Sequence, residues 1–180
     1  MSLGQTMLTA GFVVLMIMLT ISSNRMLMES SQTVLESEAI DIGADLANSL
    51  LIEATRKKFD HNQANYGYYG VSAFTSSSSL GPESGEALTT LPDTTPFQSV
   101  SRFNDVDDYH GYTRIVDGQL IKGFKLTATV YYLASRTNLT KTTSKTVLKR
   151  IDVLITHPQY LPRDTVQNRG GITLTRIMTY

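Results

Sequence analysis

The sequence contains no cysteine and no tryptophan. Without thiols there can be no disulfide, thiolate nucleophile, iron–sulfur cluster or cysteine-held zinc. Charge is sparse as well: 18% of residues are ionic and the formal net charge is zero. Bulk electrostatics therefore gives no reason to expect nucleic acid or an acidic substrate as partner. Proline does not occur before Pro82, and only Gly4, Gly11 and Gly43 interrupt the helix formers up to Lys58. Catalytic fingerprints are missing too. His61, His110 and His157 lie in unrelated segments, and none has HExxH spacing. Neither a phosphate-binding loop nor a nucleophile elbow nor a dinucleotide fingerprint is present. Catalysis is not expected.

What is present begins at the N-terminus. From Leu8 to Ile21 the chain is apolar except for Thr9, Gly11 and Thr20, and the first charged side chain is Arg25. Counted outward to Leu3 and Ser23, the run is about 20 residues, enough to cross a hydrocarbon layer as a helix. Its ten or so large side chains are each worth roughly 1.5–3 kcal/mol when removed from water, so the segment has to be covered by something. A cleaved export signal would carry a basic n-region, and none precedes Arg25.

Beyond Arg25 the pattern changes without a helix breaker. Leu35, Ala39, Ile42, Leu46, Leu50 and Ala54 recur at steps of three and four and share one helical face. Arg56, Lys57 and Lys58 fall where a helix C-terminus favours cations. One continuous helix over residues 1–58 is expected, apolar all round at first and amphipathic afterwards. Charge is divided along the chain. Residues 26–54 carry Glu29, Glu36, Glu38, Asp41, Asp45 and Glu53 and no basic residue, whereas residues 101–180 carry twice as many basic as acidic side chains. Solvated faces or complementarity between neighbouring copies would both produce that split.

The remainder reads as a β-rich head. YTRIV and QLIKG flank Asp117-Gly118, a pair that accepts the positive φ angles of a tight hairpin turn. FKLTATVYYLAS alternates through Phe124, Leu126, Ala128, Val130 and Tyr132. Ile151, Val153 and Ile155 alternate in a further run, and GGITLTRIMTY closes the chain. Four antiparallel strands with one apolar face need a cover, and the face of Leu35, Ile42, Leu46 and Leu50 is the available one. The fold class expected is α+β: a long N-terminal helix packed by its second half on an antiparallel sheet. Three regions follow: an apolar helix over 1–24, its amphipathic continuation over 25–60, and a globular head over 61–180. Within the head, the Ser-, Thr-, Pro- and Gly-rich stretch 75–99 reads as an exposed loop.

Two stretches of the head have possible chemistry. In SRFNDVDDYHGYTR, Asp105, Asp107 and Asp108 crowd together beside Asn104. Hard oxygen donors bunched in a loop suit calcium, though the spacing is not that of an EF-hand. Self-capping of a turn by Asp and Asn explains the same residues. Tyr66, Tyr68, Tyr69, Tyr109 and Tyr112 would serve either as a stacking surface for carbohydrate or as packing. Asn138-Leu139-Thr140 fits a glycosylation triplet, a pattern that also arises by chance.

The long helix, apolar first and amphipathic later, followed by a sheet head, resembles the type IV pilins and the pseudopilins of type II secretion. The Asp-rich run ending in Gly111-Tyr112 is similar to heads of the mannose-sensitive haemagglutinin type. The resemblance implies a structural subunit of a bacterial surface filament, held in the inner membrane before assembly and polymerised by an assembly machinery. Met1, Gln5, Leu8, Phe12, Val14, Leu15, Ile17 and Leu19 would then lie in the polymer core, with Met1 as a possible N-methylated terminus. Two departures stand out. Gln5 replaces the usual Glu and cannot offer a charge-assisted bond to a neighbour's terminal amine, and Ser22 occupies a position that is often Pro. A minor pilin or a secretion pseudopilin shares the same pattern. A monomeric, membrane-anchored binding module that meets a ligand through its Tyr- and Asp-rich loops is the reading from another class.

Overall fold

The computed structural model describes residues 3–62, 70–161 and 170–180. The expected helix is continuous: α1 runs Leu3–Thr55. It ends three residues earlier than the charge pattern suggests, and no basic residue lies in its last turn. Lys57 instead donates from Nζ to the carbonyls of Val100 and Phe103, at 2.8 and 2.7 Å. It thereby caps the single helical turn α2, Ser99–Arg102.

The chain divides into two compact units, Met1–Glu38 and Ala39–Tyr180. In the first, every described residue from Leu3 to Leu35 is exposed. The apolar side chains from Phe12 to Ile21 are at least half accessible. Thr6, Thr9 and Thr20 hydrogen-bond their hydroxyls to carbonyls three or four residues back. These residues therefore satisfy their own polar atoms without leaving the helix, a device that suits apolar surroundings.

The second unit is the head. Its five strands are β1 Thr113–Val116, β2 Phe124–Leu133, β3 Lys141–Thr142, β4 Leu148–Thr156 and β5 Ile172–Thr179. The sheet order is β1-β2-β4-β5, all antiparallel, and the short β3 pairs with the far end of β2. The long strands are those expected from the sequence; the two-residue β3 gave no sequence signal. Register places Leu126 opposite Ile155, Ala128 opposite Val153 and Val130 opposite Ile151. These six, with Phe124, form the inner face of the sheet and are buried.

The helix that covers this face does so with small residues. Ala39, Gly43, Ala47, Leu50, Leu51 and Ala54 are buried along α1, while Ile42 and Leu46 are half-buried flanks of the same cluster. Leu35, expected on the packing face, is 36% exposed and belongs to the first unit. The centre line of the contact is displaced because Ala and Gly let the helix backbone come close to the sheet, with bulkier side chains splayed to its side. A Cβ at Gly43 would lie 3.4 Å from Ile155 Cγ2 and 3.7 Å from the Phe124 ring. Ala therefore fits, and Gly43→Ala is expected to be neutral or to stabilise by up to about 1 kcal/mol through helix propensity. Gly43→Leu overpacks and is expected to cost about 1–3 kcal/mol. Urea denaturation of both variants in detergent measures the difference.

The Asp117-Gly118 hairpin connects β1 to β2, but not by a two-residue turn. Residues 117–123 form an irregular loop. Asp117 Oδ1 accepts the Gly123 N–H at 2.9 Å, and Gly118 N–H donates to the Ile121 carbonyl at 2.9 Å. An Asx-type closure has replaced the tight turn. Residues 75–99 have no regular strand, as expected, yet they are not simply exposed: Asp93 and Ser99 are fully buried, and Glu83, Glu86 and Leu88 are partly so.

Candidate functional site

The aspartates of 104–108 lie inside the head. Asp105, Asp107 and Asp108 are fully buried, around a 3-10 turn over Asp107–Tyr109. Half of their oxygens cap that turn reciprocally. Asp105 Oδ1 accepts the N–H groups of Asp107 and Asp108 at 2.7 and 3.3 Å. Asp108 Oδ2 accepts those of Asn104 and Asp105 at 2.8 and 3.2 Å. The self-capping explanation thus accounts for one oxygen of each. The other, Asp105 Oδ2 and Asp108 Oδ1, is buried without a hydrogen-bond partner, as are Asp107 Oδ2, Asn104 Oδ1 and Glu83 Oε2.

Lys149 supplies the balancing charge on one side. It is fully buried on β4, on the same inward parity as Ile151, Val153 and Ile155 and opposite Tyr132. Its Nζ donates to the Phe59 carbonyl at 2.7 Å, Asp60 Oδ2 at 2.9 Å and Asp107 Oδ1 at 2.5 Å. Three donors meet three acceptors, the full capacity of an ammonium. The rings of Phe59 and Tyr132 stand 4.5 and 5.1 Å from it, adding cation–π stabilisation in a desolvated place. Burial alone would push the Asp60 carboxyl up; Lys149, together with the N–H groups of Thr75 and Asn62, reverses this and holds it below the usual range. Asp107 is shifted upward by burial despite the same ammonium.

On the other side, carboxylates face one another. Glu83 and Glu86 come from the irregular 75–99 segment. His61 Nδ1 lies 3.4 Å from Glu83 Oε2 and 4.0 Å from Glu86 Oε1, and ligand atoms of the three lie within 4.8 Å of one another. Asn104 Nδ2 makes a close contact with Glu86 Oε1 and stands 3.4 Å from His61 Nδ1. Burial drives the Glu83 carboxyl up first, and the neighbouring Glu86 and Asp108 raise it further. Asp105 is raised by burial and then by Asp107 and Asp108. Asp108 is raised by burial and by Glu86, against the two backbone N–H groups that it caps. Water or a cation is what such oxygens ordinarily face.

A second polar network ties the helix to the sheet edge. Glu53 on α1 accepts from Arg114 Nη1, the Tyr109 hydroxyl and the Ser99 hydroxyl, at 2.8, 2.9 and 2.8 Å. The Tyr112 hydroxyl donates to Asp93 Oδ2 at 2.9 Å. Phe103, Tyr109 and Tyr112 pack edge to face. Tyr109 and Tyr112 are therefore core residues and offer no stacking surface; Tyr66, Tyr68 and Tyr69 lie outside the described residues. His110 Nδ1 accepts the Val130 N–H, and His157 Nδ1 accepts those of Gln159 and Tyr160. Both histidines thus serve the backbone. Asn138 is exposed in a turn where its Oδ1 accepts the Thr140 N–H at 3.3 Å.

The residues assigned to a polymer core, from Gln5 to Leu19, all lie on the exposed first unit; Met1 is outside the described residues. Sequence reasoning missed Asp60, Glu83, Glu86 and Lys149. Only Lys149 carried a signal, since it stands two residues before Ile151 on the buried parity of a strand. Comparison with protein-family models, characterised proteins and solved structures finds no match.

Proposed function

We propose that this chain is a structural subunit of a type IV pilus-like surface filament, inserted in the inner membrane before assembly and polymerised through its N-terminal helix. One observation carries the reading: α1 includes a segment long and apolar enough to cross a membrane, and none of that segment is buried by its own chain. In a bilayer this surface meets lipid tails; in a filament it meets the same surface of other copies. Leaving lipid for such a bundle gains little hydrophobic energy, so side-chain packing and an external motor must drive assembly. The architecture, a long apolar-then-amphipathic helix with a sheet head, is the one that the pilin resemblance implies.

The described part of the head gives the monomeric binding module little support. Of its Tyr- and Asp-rich loops, Asp105, Asp107, Asp108, Tyr109 and Tyr112 are buried, while Tyr66, Tyr68 and Tyr69 lie outside the described residues. Shearing the surface of producing cells, negative-stain imaging and mass spectrometry of any fibre test the reading. Long fibres composed chiefly of this chain are expected. Fibres holding it only as a trace component identify a minor subunit, and its exclusive recovery as a detergent-dependent monomer contradicts the proposal.

A further inference from the structure

The buried polar centre of the head has an unequal charge inventory. Lys149 is matched to Asp60 and Asp107 by direct contacts. Glu83, Glu86, Asp105 and Asp108 have no Lys or Arg ion-pair partner among the described residues. Among the described residues, His61 is the basic side chain within 4.0 Å of this group, beside Glu83 and Glu86. Like-charged carboxylates in a desolvated space either keep protons or hold a cation.

We propose that Glu83, Glu86, Asn104, Asp105 and Asp108 form a calcium site in the head. Asp105 and Asp108 are fully buried, and each keeps one oxygen free of any hydrogen bond while the other is fixed by two backbone N–H groups. That division orients the free oxygen, as a ligand shell requires. Asn104 Oδ1 and Glu83 Oε2 are buried without a hydrogen-bond partner as well, His61 Nδ1 standing 3.4 Å from the latter.

The donor chemistry selects the ion. Five side chains offer oxygen, both carboxylate and amide, from two separate stretches of irregular chain. Calcium takes six to eight oxygens in adaptable geometry, whereas magnesium wants a near-ideal octahedron and retains waters. Zinc would want more nitrogen or sulfur than one histidine supplies. A cleft of about 210 Å³, lined in part by Pro82, Leu88, Phe103 and Tyr112, reaches Asp108 and gives an approach. An ion here would fasten the 75–99 segment to the turn at Asp107–Tyr109. The site needs no second copy, so it can be measured before any assembly.

The experiment uses the full chain in detergent, stripped with EGTA and then given calcium, magnesium or zinc at equal millimolar concentration. Thermal unfolding is followed by circular dichroism, and binding by titration calorimetry. Calcium is expected to raise Tm by about 5 °C or more, with one ion bound per chain, and magnesium to do less. Asp108→Asn and Glu83→Gln are each expected to weaken binding at least about tenfold, while Asp45→Asn, an exposed acid on α1, leaves it unchanged. Glu83→Gln keeps the size of the side chain and an oxygen that can accept, so its folding keeps the test valid if Asp108→Asn does not fold. Absence of calcium binding to the parent chain overturns the proposal. So does calcium binding that survives both substitutions, and so does a larger shift with zinc that His61→Ala removes.

Discussion

Lys149→Met is expected to lower the stability of the head by about 3–5 kcal/mol, the cost of stranding buried charge by deleting one member of a buried pair. Lys149 is fully buried, and its ammonium satisfies Asp60, Asp107 and the Phe59 carbonyl together. Met fills similar volume and keeps the contact with Phe59, Phe74 and Tyr132, so packing changes little and the measured loss is electrostatic. If so, adding Asp60→Asn and Asp107→Asn to Lys149→Met should recover part of the loss, because neutral partners no longer need the ammonium. Urea denaturation in detergent and EGTA provides both numbers. A loss below about 1 kcal/mol for the single variant would mean that the pair is solvated and that the polar centre is not a determinant of the fold.

Val14→Lys is expected to abolish filaments while the head folds as before. Val14 lies among exposed apolar neighbours on α1, from Phe12 through Ile21. A lysine at the centre of an apolar helix costs roughly 2.5–3.5 kcal/mol on insertion scales, and in a polymer the penalty recurs at every subunit. Phe12→Asp should act in the same way. Neither residue touches the core of the second unit, which begins at Ala39, so circular dichroism and calcium binding by the head should be unchanged. The variant should be found in the membrane fraction, folded and unassembled. Wild-type-like fibres from either variant would count heavily against helix-mediated assembly.

Much of the architecture was legible because periodicity is a local property. The absence of proline and the three-and-four spacing after Leu35 pointed to one helix, period-two alternation located β2 and β4, and the GGITLTRIMTY stretch that closes the chain supplied β5. The register of the helix face was harder to read. The spacing placed Ala39, Leu50 and Ala54 on the buried face, but it put Leu35, Ile42 and Leu46 there too and passed over Gly43 and Ala47, which with Ala39 make the close approach to the sheet. Small residues carry no hydrophobic signal in proportion to their packing role. The Asp117-Gly118 pair marked the hairpin and not its loop, because Gly123, at φ +87°, completes the reversal.

The polar centre was legible only in part. Asp105, Asp107 and Asp108 stand out by their density in sequence. Glu83 and Glu86 do not, since a Ser- and Gly-rich stretch looks solvated until the chain folds it back on the aspartates. Asp60 and Lys149 are 89 residues apart, a separation that no local pattern spans. The parity of Lys149 with Ile151 and Val153 was the one available hint, and a buried lysine on such a face implies carboxylates waiting for it.

The central claim is that copies of this chain shelter one another's apolar helices. Because the sequence has no cysteine, thiols introduced there give an unambiguous readout. Subunit contacts in a helical polymer are heterologous, so each chain needs two thiols at different heights, for example Leu8→Cys with Leu15→Cys, or Phe12→Cys with Leu19→Cys. Oxidation of intact surface material, then denaturing electrophoresis, is expected to give a ladder of covalent multimers from at least one pair. Monomer alone from both pairs, at a surface abundance that matches the unmodified chain, would contradict the shared core.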